Sequence, residues 1–158
     1  MLGKVRPTTG KVLESILSTL DDYWEGARVL DLFAGSGSLG LAAQAHGARE
    51  VVAVEGHSKV AAPLRKKLQL IVGVLPAALS KVEGRFDIIL GDPPYGVPEG
   101  PSTLALLSPL LEPDGWIVWE HHHKDPYPDP VPGLSLWRCR RFGETAVSYY
   151  RQGGISPD

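Results

Sequence analysis

Val29-Leu30-Asp31-Leu32-Phe33-Ala34-Gly35-Ser36-Gly37-Ser38-Leu39-Gly40 is the stretch whose reading decides the fold. A short apolar run enters a glycine-rich turn, and Leu39 to His46 continues it as a helix, so the segment predicts a strand, a tight loop and a helix start. Gly35 and Gly37 let the backbone turn sharply and approach a ligand, while Gly40 permits close helix–strand packing. The G-x-G-x-x-G spacing alone is shared with nicotinamide and flavin sites. Two acids tilt the reading away from a dinucleotide. Asp31, just before the glycines, puts a carboxylate near the strand end, where it repels a pyrophosphate and attracts an ammonium group. The next strand, Val51 to Glu55, ends in an acid about 20 residues beyond Gly35, the spacing of one that holds ribose hydroxyls.

A second motif follows the apolar run Phe86-Asp87-Ile88-Ile89-Leu90-Gly91, which reads as a buried strand. Asp92-Pro93-Pro94-Tyr95 then falls at that strand's C-terminal end, where open α/β sheets place their ligands. The prolines offer carbonyls and no N–H, and Asp92 adds further acceptors. A planar base with an exocyclic amino group suits such a cluster: it donates two hydrogen bonds while its ring stacks on Tyr95. The plain alternative is a strand followed by a Pro-Pro turn. Taken with the first motif, the ligand best described is one with a ribose and a cationic amino-acid tail but no phosphate, as in S-adenosylmethionine.

Together the two motifs resemble those of the Rossmann-like S-adenosylmethionine-dependent methyltransferases. Asp31 to Gly40 looks like their first motif, Glu55 like the acid of their second, and Asp92 to Tyr95 like the signature of enzymes that methylate exocyclic amines. Arg6-Pro7-Thr8-Thr9, ahead of the helix-forming Lys11 to Leu17, is similar to the RPT segment of the bacterial RsmD family, which methylates a guanine N2 in small-subunit ribosomal RNA. The resemblance runs from about Arg6 to Arg151. It implies a cofactor site at Asp31, Ala34, Gly35, Ser36, Gly37, Glu55, Gly56 and Asp92, and a catalytic cluster at Asp92, Pro93, Pro94 and Tyr95. It also implies substrate contacts from Arg6, Thr8, Thr9 and Tyr95. The chain departs from the wider pattern at Leu75 to Ala78, which carry no acid or amide where many methyltransferases hold the adenine. Adenine N6 methylation, a catalytically silent cofactor- or RNA-binding module and an oxidoreductase stand as alternatives.

At 158 residues with 43% hydrophobic content, one S-adenosylmethionine-dependent methyltransferase domain over residues 1–158 is expected. No apolar stretch reaches the roughly 20 residues needed to span a bilayer. With neither a signal-like N-terminus nor a second cysteine beside Cys139, a cytoplasmic protein is the expectation. Asparagine is absent and proline is frequent at 14 residues, a pattern that fits a hot environment. The net charge of −2 argues against a strong nonspecific binder of naked RNA. Positive charge is instead local: Lys4, Arg6 and Lys11 at one end, Arg65 to Lys67 on one helix, and Arg138, Arg140 and Arg141 near the C-terminus. The expected partner is therefore ribosomal RNA within a partly assembled small subunit.

Alternating units predict an α/β fold, a mostly parallel sheet closed by an antiparallel hairpin and with helices on both faces. Strands are expected at Arg28–Phe33, Val51–Glu55, Leu70–Val74, Phe86–Gly91 and Trp116–Glu120, then Leu134–Cys139 and Thr145–Arg151. Helices are expected around Ala61–Gln69 and over Thr103–Leu111, the latter capped by Ser102 and stopped at Pro113-Asp114-Gly115. His121-His122-His123 is expected at an exposed strand end, without a metal, because neighbours in extended chain point to opposite sides. Cys139 reads as a small hydrophobe in a closing strand.

Overall fold

The computed structural model describes residues 10–125 and 130–153. Along them run α1 (Gly10–Thr19), β1 (Arg28–Leu32), α2 (Ser38–Ala45), β2 (Glu50–Glu55) and α3 (Ser58–Ala61). There follow β3 (Gln69–Val72), β4 (Phe86–Gly91), α4 (Glu99–Leu104), β5 (Leu111–His122), β6 (Leu134–Phe142) and β7 (Thr145–Gln152). Among the described residues the strands form one seven-stranded sheet in the order β3-β2-β1-β4-β5-β7-β6. The pairs β1–β2, β2–β3, β1–β4 and β4–β5 are parallel, and β7 runs antiparallel to both β5 and β6. This is the Rossmann-like sheet with its closing hairpin. β1 is flanked by β2 on one side and β4 on the other, so the loops leaving β1 and β4 diverge and open a crevice between them.

Side-chain alternation builds a core on each face. Val29, Val51, Ala53, Ile88 and Val118 pack under α1 and α2, with Val12, Ile16 and Leu20 supplying the helix stripe. Leu30, Leu32, Val52, Ile89 and Ile117 face the other way, toward Leu104, Leu107 and Leu111. A central strand buried on both faces must be apolar throughout, and the one polar residue of β1 after Arg28 is Asp31.

Several elements differ from the sequence reading, each for a local reason. The helix expected over Ala61–Gln69 is one α turn, Ser58–Ala61, running into a 3₁₀ segment Ala62–Lys66. Pro63 supplies no N–H there, so the α-helical ladder cannot continue through it. The third strand starts at Gln69, one residue early, and ends at Val72. The helix expected over Thr103–Leu111 instead spans Glu99–Leu104 with Pro98 at its N-cap, and Ser108–Leu110 forms a 3₁₀ turn. Pro113-Asp114-Gly115 does not stop that helix; it lies inside β5. Leu111 pairs with Phe86 and Trp116 with Ile88, so the surplus residues of β5 bulge out between those pairs. Cys139 sits in a closing strand as expected but is exposed, because β6 is the sheet's edge.

Candidate active site

The residue that follows β1 has an unusual backbone. Phe33 has φ 56°, a left-handed conformation that is costly for a bulky side chain. The chain swings over the end of β2, where the Ala34 N–H donates to the Val54 carbonyl at 3.0 Å and the Gly37 N–H to the Ala34 carbonyl at 2.8 Å. Gly35 and Gly37 carry φ of 57° and 83°, so both positions favour glycine. A Cβ on Gly37 would also collide with Leu64, while one on Gly40 would sit 2.8 Å from Asp31 Oδ2 and 3.1 Å from Val51.

The two acids fasten this loop to the strands. Glu55 Oε1 accepts the Gly35 N–H at 2.7 Å and Oε2 accepts the His57 N–H at 3.0 Å, which fixes the carboxylate plane. Asp31 Oδ2 accepts the Gly40 N–H at 3.0 Å, and the side chain is only 1% exposed. Asp31 and Glu55 continue the rows Val29 and Val51–Ala53 on the face under α1 and α2; Glu120 continues Trp116–Val118 on that same face. Burial pushes the Asp31 carboxyl up to about 8, against the Gly40 N–H and aided by the charges of Glu55 and Glu120. Three acidic side chains thus gather at this end of the sheet, and a cationic ligand group beside them would favour the ionised form of Asp31. Beside Glu55, Gly56 faces the Gly73 carbonyl and Val74, a valine left 68% exposed.

The second motif stands across the crevice. The Asp92 N–H reaches the Leu32 carbonyl at 3.4 Å, joining the exits of β4 and β1. A side chain on Gly91 would run into the Trp119 ring, so the indole packs directly over the end of β4. Asp92 is half-buried, Pro93 buried, Pro94 exposed and Tyr95 half-buried. The Tyr95 hydroxyl meets Thr145 Oγ1 at 2.6 Å, and its ring stands edge-on to His122 with centroids 5.3 Å apart. The structure therefore brings Asp31, Ala34 to Gly37, Glu55, Gly56 and Asp92 to Tyr95 to one end of the sheet. Arg6, Thr8 and Thr9 lie outside the described residues.

The histidine run differs from expectation. His121 is buried, its Nε2 lies 2.8 Å from Ser148 Oγ, and burial holds its imidazole below the usual histidine range. The rings of His122 and His123 stack at 4.8 Å rather than pointing apart, because His122 ends β5 and His123 already belongs to the turn. Among the described residues no group of metal-ligating side chains forms a metal site, and no helix is long and apolar enough to cross a membrane. Glu120 and Thr145 were not singled out from the sequence. A lone acid closing the apolar run Trp116 to Trp119 was a signal for Glu120; Thr145 gave none.

Comparison with known proteins agrees with this fold. The family model described as Conserved hypothetical protein 95 matches residues 2–151. YlbH of Bacillus subtilis (strain 168) is 34% identical over 163 residues, covering 94% of this chain and 89% of the relative. Ribosomal RNA small subunit methyltransferase D of Haemophilus influenzae is 29% identical, covering 93% of this chain and 81% of the relative. Among solved structures, yhhF from Escherichia coli superposes with a TM-score of 0.82 at 25% identity, covering 96% of this chain and 92% of that one.

Proposed function

The chain belongs to the family described as Conserved hypothetical protein 95, the RsmD family its motifs resemble, and from that premise we propose that it transfers a methyl group from S-adenosylmethionine to the exocyclic N2 of a guanine in small-subunit ribosomal RNA. One observation supports the reading: the glycine loop with its acids and the Asp92–Tyr95 cluster leave the neighbouring strands β1 and β4 at the same end of the sheet, where the strand order reverses. The relative from Haemophilus influenzae bears the name of a small-subunit ribosomal RNA methyltransferase, which supports the substrate class.

The residues suit the methyl donor. The Glu55 oxygens each accept one backbone N–H and retain lone pairs for vicinal hydroxyls. A cationic tail beside the buried acids Asp31 and Glu120 would favour the ionised form of Asp31, which holds its proton in the ligand-free protein at neutral pH, and exposed Val74 beside Gly56 offers an apolar surface to the adenine. When bound, S-adenosylmethionine supplies an electrophilic methyl on a sulfonium.

Asp92 and Pro93 do the positioning. A base amino nitrogen is a poor nucleophile because its lone pair is delocalised into the ring. If the Asp92 carboxylate and the Pro93 carbonyl each accept one N–H, that lone pair turns out of the ring plane toward the methyl, and the acceptors sit where positive charge develops. Pro94 stiffens the segment, and Tyr95 provides a stacking face that offsets part of the cost of unstacking the base, about 1–3 kcal/mol per contact. Arg6, Thr8 and Thr9 are assigned to substrate binding, with Arg6 suited by its charge to RNA phosphate. The test is methyl transfer to small ribosomal subunits lacking the modification, followed by nucleoside mass spectrometry. N2-methylguanosine is expected, while N6-methyladenosine, or no transfer by protein that binds the cofactor, would overturn the reading.

A further inference from the structure

We propose that the edge strand β6 is a docking rail for the phosphate backbone of single-stranded RNA beside the target nucleotide, gripped by Arg138, Arg140 and Arg141. The inference rests on the ribosomal RNA reading above and adds the surface that holds the substrate.

Charge is the first argument. The protein has 16 basic and 18 acidic residues, yet three arginines fall within four consecutive positions of this strand. All three are exposed, and among the described residues none makes an ion pair. Their partners are uncharged. The Arg138 guanidinium lies 4.4 Å from the centre of the Trp137 ring. Arg140 donates to Ser15 Oγ at 3.4 Å and lies 5.6 Å from the Phe142 ring. Arg141 donates to the Gly143 carbonyl at 2.8 Å and lies 3.4 Å from His123 Nε2. Each guanidinium has five N–H donors, so most of them remain for phosphate oxygens. The aromatic and backbone contacts hold the side chains in place, which lowers the entropic cost of gripping a ligand.

Placement is the second. Among the described residues β6 has no strand on its outer side. Arg140 reaches α1, whereas Arg141, the next residue, points to the opposite face, so the arginines straddle the edge. The strand leads to the crevice: Phe142 pairs with Thr145, whose hydroxyl holds Tyr95. A backbone lying along β6 would therefore deliver a flipped-out base to the Asp92–Tyr95 cluster.

The experiment measures binding of the full chain to a fluorescein-labelled, mixed-sequence, single-stranded 20-nucleotide RNA across a series of KCl concentrations. Each neutralised phosphate on a single strand contributes about 0.7 to the logarithmic salt slope, so R138Q/R140Q/R141Q should reduce it by about 2. The variant should bind at least tenfold more weakly at low salt, keep its thermal midpoint and cofactor affinity, and recover on Arg→Lys replacement at the same positions. R65Q/K66Q/K67Q, equal in charge but on the far side of the sheet, should change the slope by less than half as much. An unchanged slope in the β6 variant, an equal loss in the control, or no binding by the unaltered protein would overturn the rail. So would a β6 variant that binds RNA normally but no longer associates with small subunits, which would assign the edge to a protein partner. Unaltered protein that binds through β6 but transfers no methyl would overturn the proposed function and leave the rail standing. Normal transfer with a β6 variant indistinguishable from it would do the reverse.

Discussion

Tyr95 and Thr145 share a 2.6 Å hydrogen bond across 50 residues of sequence, and that contact ties the acceptor loop after β4 to the hairpin that closes the sheet. The ring that would carry the base is thereby fixed at its far end by a residue from another strand.

Removing either partner of that bond should have the same effect. Thr145→Val and Tyr95→Phe are each expected to lower kcat/KM for the RNA substrate about fivefold, near 1 kcal/mol for a neutral hydrogen bond, with cofactor affinity intact. The double variant should lose no more than either single one. Additive losses in a double-mutant cycle would show that the hydroxyls do not act through each other.

Glu55→Ala should weaken S-adenosylmethionine binding by roughly 1.5–3 kcal/mol, the range for hydrogen bonds to a charged acceptor. The substitution also frees the Gly35 N–H, so circular dichroism must first establish that the sheet is intact. Calorimetry giving unaltered affinity in a folded variant would remove Glu55 from the cofactor site.

Asp92→Ala is expected to reduce single-turnover methyl transfer at least about 100-fold, as removal of one preorganised charge-stabilising group does, while cofactor affinity changes little. Transfer at the rate of the unaltered protein would return Asp92 to Tyr95 to the status of a turn.

Asp31 makes stability depend on pH in a direction opposite to that of most carboxylates. Its folded-state value is raised from 3.8 to about 8, so between those values the folded protein holds a proton that the unfolded chain has released. Stability of the ligand-free protein should therefore fall as pH rises through that window, by at most about 1.4 kcal/mol per unit, and level off above it. Asp31→Asn should flatten the dependence and raise the melting midpoint at pH 8 relative to the unaltered protein. A midpoint in the unaltered protein that climbs steadily from pH 5 to pH 8 would contradict the assignment.

The strands that carry the site were legible because a central parallel strand is apolar along most of its length, as Val29 to Leu32 and Phe86 to Gly91 are apart from Asp31 and Asp87. Glycine spacing was legible for a similar reason, since the left-handed turns at Gly35 and Gly37 narrow the choice of residue. Pro113-Asp114-Gly115 misled because turn residues serve a bulge inside a strand as readily as they stop a helix. What joins distant segments left no local trace. Thr145 is an ordinary strand residue until folding sets it against Tyr95, and Glu120 joins Asp31 only through the pairing of β1, β4 and β5.

The contact between Gly91 and Trp119 has a consequence for how this chain can vary. The last residue of β4 has no room for a methyl group while an indole lies across it, and the indole in turn packs edge-on to Phe33 at 6.2 Å. Positions 91 and 119 are thus mutationally coupled: Gly91→Ala should be poorly tolerated alone, and the substitution that rescues it should be a smaller side chain at 119. In a library randomised at both positions, surviving sequences should trade volume between the two.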